Sequence, residues 1–349
     1  MPLCRYPDIC LKKPPARPKA SFPNLSVAVS LNILPEEKTN PRPVLPAFLS
    51  RHLSKIIIGV SLIFLLVGLY YADYLIKPAV YSIPYLFYSV IFLWTGFLFY
   101  SICWGKVLGS KYRDIRNRTI MASAGLTIFG KYIPGRLWIL LGRSAYVEKH
   151  SEHDLGPLSL LSFKEQIISI WVGFFLGLIG YSLAGNFSIG GITGMAIWLI
   201  ATPLILSNLL PGIINRLMAK LMKREVNITP LDWHMIRRVV PYSVLNWGIW
   251  AAGFYFLVQA LVPYDVPLLT GLCFPLAANI GILAFFAPGG IGIRETMIVI
   301  YLNQMGISVG EATTIALASR LWFLFGEAFL FVVGNAAHVL RSWWRPIIE

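Results

Sequence analysis

The strongest constraint on this chain is a succession of apolar runs about twenty residues long, separated by short loops rich in Lys and Arg. A helix of ~20 residues crosses the ~30 Å hydrocarbon layer of a bilayer. Inside that layer the backbone must satisfy its own hydrogen bonds, which excludes open sheets and leaves helices. Of the 349 residues, 56% are hydrophobic and 13% charged, where soluble domains carry about 25% charged residues. The predicted fold class is therefore an all-α polytopic membrane protein. A net charge of +14 would suggest nucleic acid in a soluble chain. Here the cations lie mainly in the amino-terminal tail and between apolar runs. They read as positive-inside bias and contact with anionic headgroups, with no nucleic-acid partner.

Residues 1–50 contain ten prolines and the basic residues Arg5, Lys12, Lys13, Arg17, Lys19, Lys38 and Arg42. This segment cannot bury a core; a disordered basic tail is expected, or an over-extended gene start. The first apolar run comes too late and is too long for a signal peptide. Residues 51–340 make up the membrane domain, and 341–349 a short cytoplasmic tail. Six spans are predicted: Ile56–Ile76, Ile83–Trp104, Glu165–Ala184, Gly190–Leu210, Val239–Val262 and Glu311–Leu340. Arg51 and Lys55 before the first span, and the basic loops Gly105–Arg118 and Pro211–Val239, are assigned to the cytoplasm. Arg341 and Arg345 put the carboxyl terminus on the same side as the amino terminus. The expected location is the inner membrane of a bacterial-type cell.

Two apolar segments resist a straight crossing. Thr119–Leu141 is broken at Pro134-Gly135, and the side count requires Thr119–Lys164 to begin and end inside. Val266–Ala287 and Ile293–Met305 are separated by Pro288-Gly289-Gly290-Ile291-Gly292, and must begin and end outside. Both are predicted as re-entrant hairpins entered from opposite faces, with Pro134, Gly135, Pro288, Gly289 and Gly290 as hinges. The order span, span, hairpin, span then occurs twice, in residues 56–184 and 190–340. Pro84, Tyr85, Gly96, Phe97 and Phe99 align with Pro241, Tyr242, Gly253, Phe254 and Phe256, and Pro134-Gly135 with Pro288-Gly289. An odd number of spans per unit inverts the second copy, the build of secondary transporters with a site near the midplane.

Charge at membrane depth costs on the order of 3 kcal/mol on insertion scales, so it is paired or functional. Candidates are Lys131, Arg136 and Arg143 in the first hairpin, Arg294 and Glu295 in the second, Glu165 in the third span, and Arg320 and Glu327 in the last. Arg320 and Glu327 share a helix face but stand ~10.5 Å apart, so each needs another partner. Arg320 could meet Glu295 or Glu165; Glu327 could meet Lys131 or Arg136. The cations outnumber the acids, and a phosphate would satisfy the excess, since the guanidinium fork donates two parallel hydrogen bonds. The structural alternative is a set of static ion pairs locking the hairpins.

No metal site is predicted. His150, His153 and Asp154 read as a solvated loop, and Cys4, Cys10, Cys103 and Cys273 form no CxxC. The nucleotide, esterase and zinc-protease motifs are lacking, so no enzyme class is indicated and no cofactor is implied. The tryptophans read as interface belts and packing.

These residues resemble the lysylphosphatidylglycerol synthase transmembrane-region family, a flippase-like membrane domain. The likeness lies in GKYIPGRLW…GR (Gly130–Arg143), Glu165, PGGIGIRE (Pro288–Glu295) and Arg320, and covers about residues 50–340. It implies translocation of an anionic phospholipid or a lipid-linked, polyprenyl-phosphate glycan between leaflets. Lys131, Arg136, Arg143, Arg294 and Arg320 would hold the phosphate, with Glu165, Glu295 and Glu327 as counter-charges. The family's soluble aminoacyltransferase domain is lacking here, so lysine transfer is not implied. The chain departs from the family where an Arg and an Asp often follow the Glu; Gln166 and Ser169 stand there. The alternatives are a membrane transferase using Glu165 or Glu327 as base, and a non-catalytic subunit partnering a glycosyltransferase or lipid synthase. The oligomeric state is not specified by these patterns.

Overall fold

The computed structural model describes residues 79–132, 137–185, 188–207, 211–212, 215–216, 229–284, 290 and 292–343. The predicted first span Ile56–Ile76, the tail, Arg136 and both Pro-Gly dipeptides lie outside the described residues. What is described is helical, with no strand among these residues. In chain order the helices are α1 (Ile83–Leu108), α2 (Asn117–Leu126), α3 (Leu137–Glu148), α4 (Leu155–Ala184), α5 (Ile189–Leu206), α6 (Trp233–Leu261), α7 (Cys273–Leu283), α8 (Ile293–Gln304) and α9 (Val309–Trp343). Short 3-10 turns, Ile128–Tyr132 and Leu268–Leu272, follow α2 and precede α7.

Five of these helices, α1, α4, α5, α6 and α9, are long and apolar enough to cross a membrane. That is the build of a multi-pass, all-α membrane protein. The helices extend beyond the apolar runs that predict them. The run beginning at Glu165 belongs to a helix that starts at Leu155, and the run beginning at Val239 to one that starts at Trp233. Hydropathy marks the hydrocarbon boundary, whereas the backbone ladder continues into the polar zone wherever nothing breaks it. Glu165 therefore lies within α4, about three turns from its start, rather than at its mouth.

α6 is the central helix: 61% of its most apolar window is buried, against 6% for α5, whose flanks face outward. α6 packs along α1 over much of their lengths. A glycine on each makes room for an aromatic ring. Gly96 faces the Trp250 indole, while Gly253 lies beside Phe92 and Trp322. The Ser89 hydroxyl donates to the Gly253 carbonyl at 2.7 Å. Around this pair, Phe97, Trp104, Phe254, Phe274 and Trp322 form an aromatic core. Most of the described indoles are thus packing elements, with Trp138 and Trp233 exposed.

The two short helix pairs are held by close backbone approach. α2 packs against α9, where a Cβ added at Gly125 would stand 2.7 Å from the Gly334 Cα and clash with the Leu330 carbonyl. α7 packs against α4 over Gly173, Gly177 and Gly180, a small-residue face of helical spacing. At Gly177 an added Cβ would stand 2.6 Å from the Leu276 backbone nitrogen. α3 lies along α4, and α8 along α9. α8 opens at Gly292, whose φ of +85° suits glycine, and the Glu295 carboxylate accepts from the Gly292 N–H at 2.7 Å.

Candidate functional site

The interrupted segments and four of the long helices line an open cavity of about 350 Å³. α1, the first 3-10 turn, α3, α4, α6, α7, α8 and α9 all contribute wall. That size is within the range of small-molecule sites. The walls are mostly apolar, including Phe97, Trp250 and Phe323, and the charge is concentrated in Lys131, Arg294, Arg320 and Glu327.

Each charge is positioned by its own helix. The 3-10 turn after α2 presents Lys131 and Tyr132 to Glu327, which is fully buried on α9. Lys131 forms an ion pair with one Glu327 oxygen, and the Tyr132 hydroxyl donates to the other at 2.8 Å. Arg320, two turns earlier on α9, pairs with Glu295 instead. Its Nε and terminal nitrogen reach the same Glu295 oxygen at 2.9 and 2.8 Å, while the other oxygen caps α8. Among the described residues Glu327 meets Lys131, and Arg320 meets Glu295 rather than Glu165.

Arg294 differs from the other cations. Among the described residues it has no carboxylate within ion-pair distance and its buried Nε has no hydrogen-bond partner. A terminal nitrogen reaches the Ser319 hydroxyl at 3.5 Å. The guanidinium lies 5.0 Å from the centre of Phe274 and 5.4 Å from that of Phe323. Lys131 also lies over Phe323, at 4.8 Å. The described charges at the cavity are then Lys131, Arg294 and Arg320 against Glu327 and Glu295, an excess of one positive charge.

Arg143 and Glu165 do not line the cavity. They form a pair at 2.6 Å with relative exposures of 0% and 2%. Four of the five Arg143 N–H donors are used: they reach the Ser162 hydroxyl at 2.5 Å, the Ser162 carbonyl at 2.9 Å, Glu165, and Tyr100 at 3.4 Å. Its plane also stacks on Trp104 at 4.3 Å. Buried off the cavity and tied to Ser162 and Glu165, this Arg is a fastening between α3 and α4. Arg136, Pro134, Gly135, Pro288 and Gly289 fall outside the described residues. Gly290 has φ of +69° and abuts Gly281, where an added Cβ would stand 2.8 Å from the Gly281 carbonyl oxygen.

Several lining residues escape charge-based reading. Tyr132 stands beside Lys131 in the Gly-Lys-Tyr-Ile-Pro-Gly stretch, which was the available signal for it. Gln166 and Ser169 reach the cavity from α4. Tyr100, Trp247 and Trp250 give no sign in sequence that they differ from ordinary packing aromatics. Among the described residues no group of three or more His, Cys, Asp or Glu side chains could hold a metal.

The chain matches no family model, no curated protein and no solved structure.

Proposed function

We propose that this chain is a membrane carrier that moves a lipid bearing a phosphate headgroup, a phospholipid or a lipid-linked glycan, between leaflets of a bacterial-type inner membrane. The observation that carries the proposal is Arg294: a cation on the wall of a mostly apolar cavity, without a carboxylate partner among the described residues. An uncompensated guanidinium at membrane depth is costly unless an anion visits it. A phosphate supplies paired acceptors that match its fork. Lys131 and Arg320 flank it, each with a carboxylate that a phosphate can compete with.

In this proposal α2–α3 and α7–α8 are re-entrant hairpins entering from opposite faces, and both chain termini are cytoplasmic. The helix pairings support an inverted repeat. Exchanging the halves maps α2 on α9 to α7 on α4, and α3 on α4 to α8 on α9; all four pairings occur. The ion pairs follow the same exchange with signs reversed: Arg143 of α3 with Glu165 of α4, and Glu295 of α8 with Arg320 of α9. The resemblance to the lysylphosphatidylglycerol synthase transmembrane region, carried by Gly130–Arg143, Glu165, Pro288–Glu295 and Arg320, is part of the same proposal.

The test is leaflet exposure of a tail-labelled phospholipid in proteoliposomes, read by quenching from outside. Arg294→Ala is expected to slow movement at least tenfold, while unchanged movement would remove the proposed site. Lipid mass spectrometry of cells with and without the gene addresses the transferase alternative. Loss of a lipid species, rather than its presence in the wrong leaflet, would favour that chemistry.

A further inference from the structure

The cavity carries a net charge whatever its internal pairing. Lys131, Arg294 and Arg320 bring three positive charges, Glu327 and Glu295 two negative ones, and the sum is +1. A phosphate that displaces a carboxylate from Lys131 or Arg320 changes the partners and leaves that sum as it was. Residues 133–136 and 285–291 contain Arg136 and no acid, so they cannot lower it. The aromatic rings attract a cation without neutralising it. Arg294 lies against Phe274 and Phe323, and Phe97, Trp247 and Trp250 give the wall further faces. Among the described residues the Arg294 Nε has no hydrogen-bond partner, and the Ser319 hydroxyl is a distant acceptor at 3.5 Å.

This sum sets a condition on movement. In an open cavity, water and dissolved anions screen the extra charge. A carrier that alternates between two sides passes through a closed state, and closure strips that screening away. With a singly charged phosphate ester bound, the sum is zero and no net charge leaves water. Without it, closure buries +1. The insertion penalty for one charge at the membrane centre corresponds to on the order of 100-fold in a population.

We propose that the chain is an obligate exchanger: it reorients with an anion in the cavity and is held in place when empty. Each phosphate-bearing lipid carried to one leaflet is matched by an anion returned from the other. The returning anion has the same chemistry, a phosphate group, whether borne by a lipid or free in solution. Swapping one singly charged lipid for another moves no net charge, so the membrane potential neither drives nor opposes it. The inference rests on the carrier function proposed above and adds its coupling.

The full chain is reconstituted in vesicles of a phosphate-free galactolipid, with tail-labelled phosphatidylglycerol placed in the outer leaflet. Three interiors are compared: unlabelled phosphatidylglycerol in the inner leaflet, inorganic phosphate in the lumen, and neither. With phosphatidylglycerol inside, the label is expected to reach the inner leaflet at least about tenfold faster than with neither. Acceleration by lumenal phosphate as well assigns the return leg to any phosphate anion; its lack assigns that leg to lipid. A potential of about 100 mV shifts the leaflet ratio about 50-fold for one charge moved alone, and is expected to leave the exchange unchanged. Gln166→Glu sets a carboxylate on the cavity wall, brings the sum to zero and leaves Arg294 in place. It is expected to bring the rates with and without an inner anion within about twofold of each other, whereas Gln166→Asn keeps the charge and the parent's ratio. Equal rates in the parent with and without an inner anion would overturn the exchange and leave the carrier standing. A parent ratio that Gln166→Glu leaves intact would overturn the charge condition and the proposal with it. No movement with any interior would end the carrier function and the exchange together.

Discussion

Replacing Glu165 with Gln isolates the fastening between α3 and α4. The change keeps side-chain shape and removes one charge, leaving the Arg143 guanidinium at 0% exposure without its counter-ion. Removing one partner of a buried pair costs about 3–5 kcal/mol, because the remaining charge stays desolvated. The Ser162 hydroxyl and carbonyl still accept from Arg143, at 2.5 and 2.9 Å, which places the expected cost near the lower end. At about 2.1 cal/mol/K of unfolding entropy per residue, a domain of roughly 300 residues loses about 1.5 °C per kcal/mol, so the unfolding midpoint should fall by about 5 °C. Thermal unfolding in detergent, followed by tryptophan fluorescence, reads this directly because Trp104 stacks on the guanidinium. The double variant Arg143→Met, Glu165→Leu removes both charges and should recover most of the loss, with lipid movement near that of the parent. A Glu165→Gln midpoint within about 2 °C of the parent, or a double variant as costly as the sum of the singles, would refute the assignment as a closed structural pair.

Other expectations follow from particular contacts. Gly125→Ala should destabilise by roughly 1–3 kcal/mol, since its Cβ meets backbone rather than a movable side chain. Gly248→Ala, mid-helix in α6 with open space around it, should stabilise by about 0.5–1 kcal/mol; paired thermal melts compare the two. Tyr132→Phe removes the hydroxyl that donates to buried Glu327 and should cost about 1–3 kcal/mol, read by the same melts. On the exposed loops, the His153 contact holds the Asp114 carboxyl below its usual value of 3.8. That contribution is complete above the unfolded value and lost as pH falls through the lower folded one, so Asp114→Asn should flatten the stability profile only in the acid range below about pH 4, in pH-stepped melts.

Membrane class and most spans were legible because hydrocarbon imposes a single requirement, length of apolar helix, that leaves a direct trace in sequence. The positions of Pro and Gly also marked where α2–α3 and α7–α8 must be separate pieces. Depth was less legible. Glu165 looked like a helix mouth because hydropathy registers the solvent boundary and not the extent of the backbone ladder. Which charges face the cavity could not be read either. Arg143 and Arg294 look equivalent in sequence, yet one has its fork closed by Ser162 and Glu165 and the other retains an unpaired Nε. That difference depends on neighbours brought from other helices, and no local pattern encodes it. Gln166 and Ser169 stood out as departures from a resemblance, but only the cavity gives them a place.

The contact between Gly125 and Gly334 has a consequence for biosynthesis. α2 is made early, and the surface it packs against on α9 emerges about two hundred residues later. At typical elongation rates of roughly 5–20 residues per second, that interval is about 10–40 s. Throughout it the glycine face of α2 has no native partner, while α7, which closes on the older helix α4, can dock almost as soon as it is made. The nascent chain must therefore shield one short, weakly apolar helix at the membrane for most of its own synthesis. The last of the described helices is the one that completes the packing of α2.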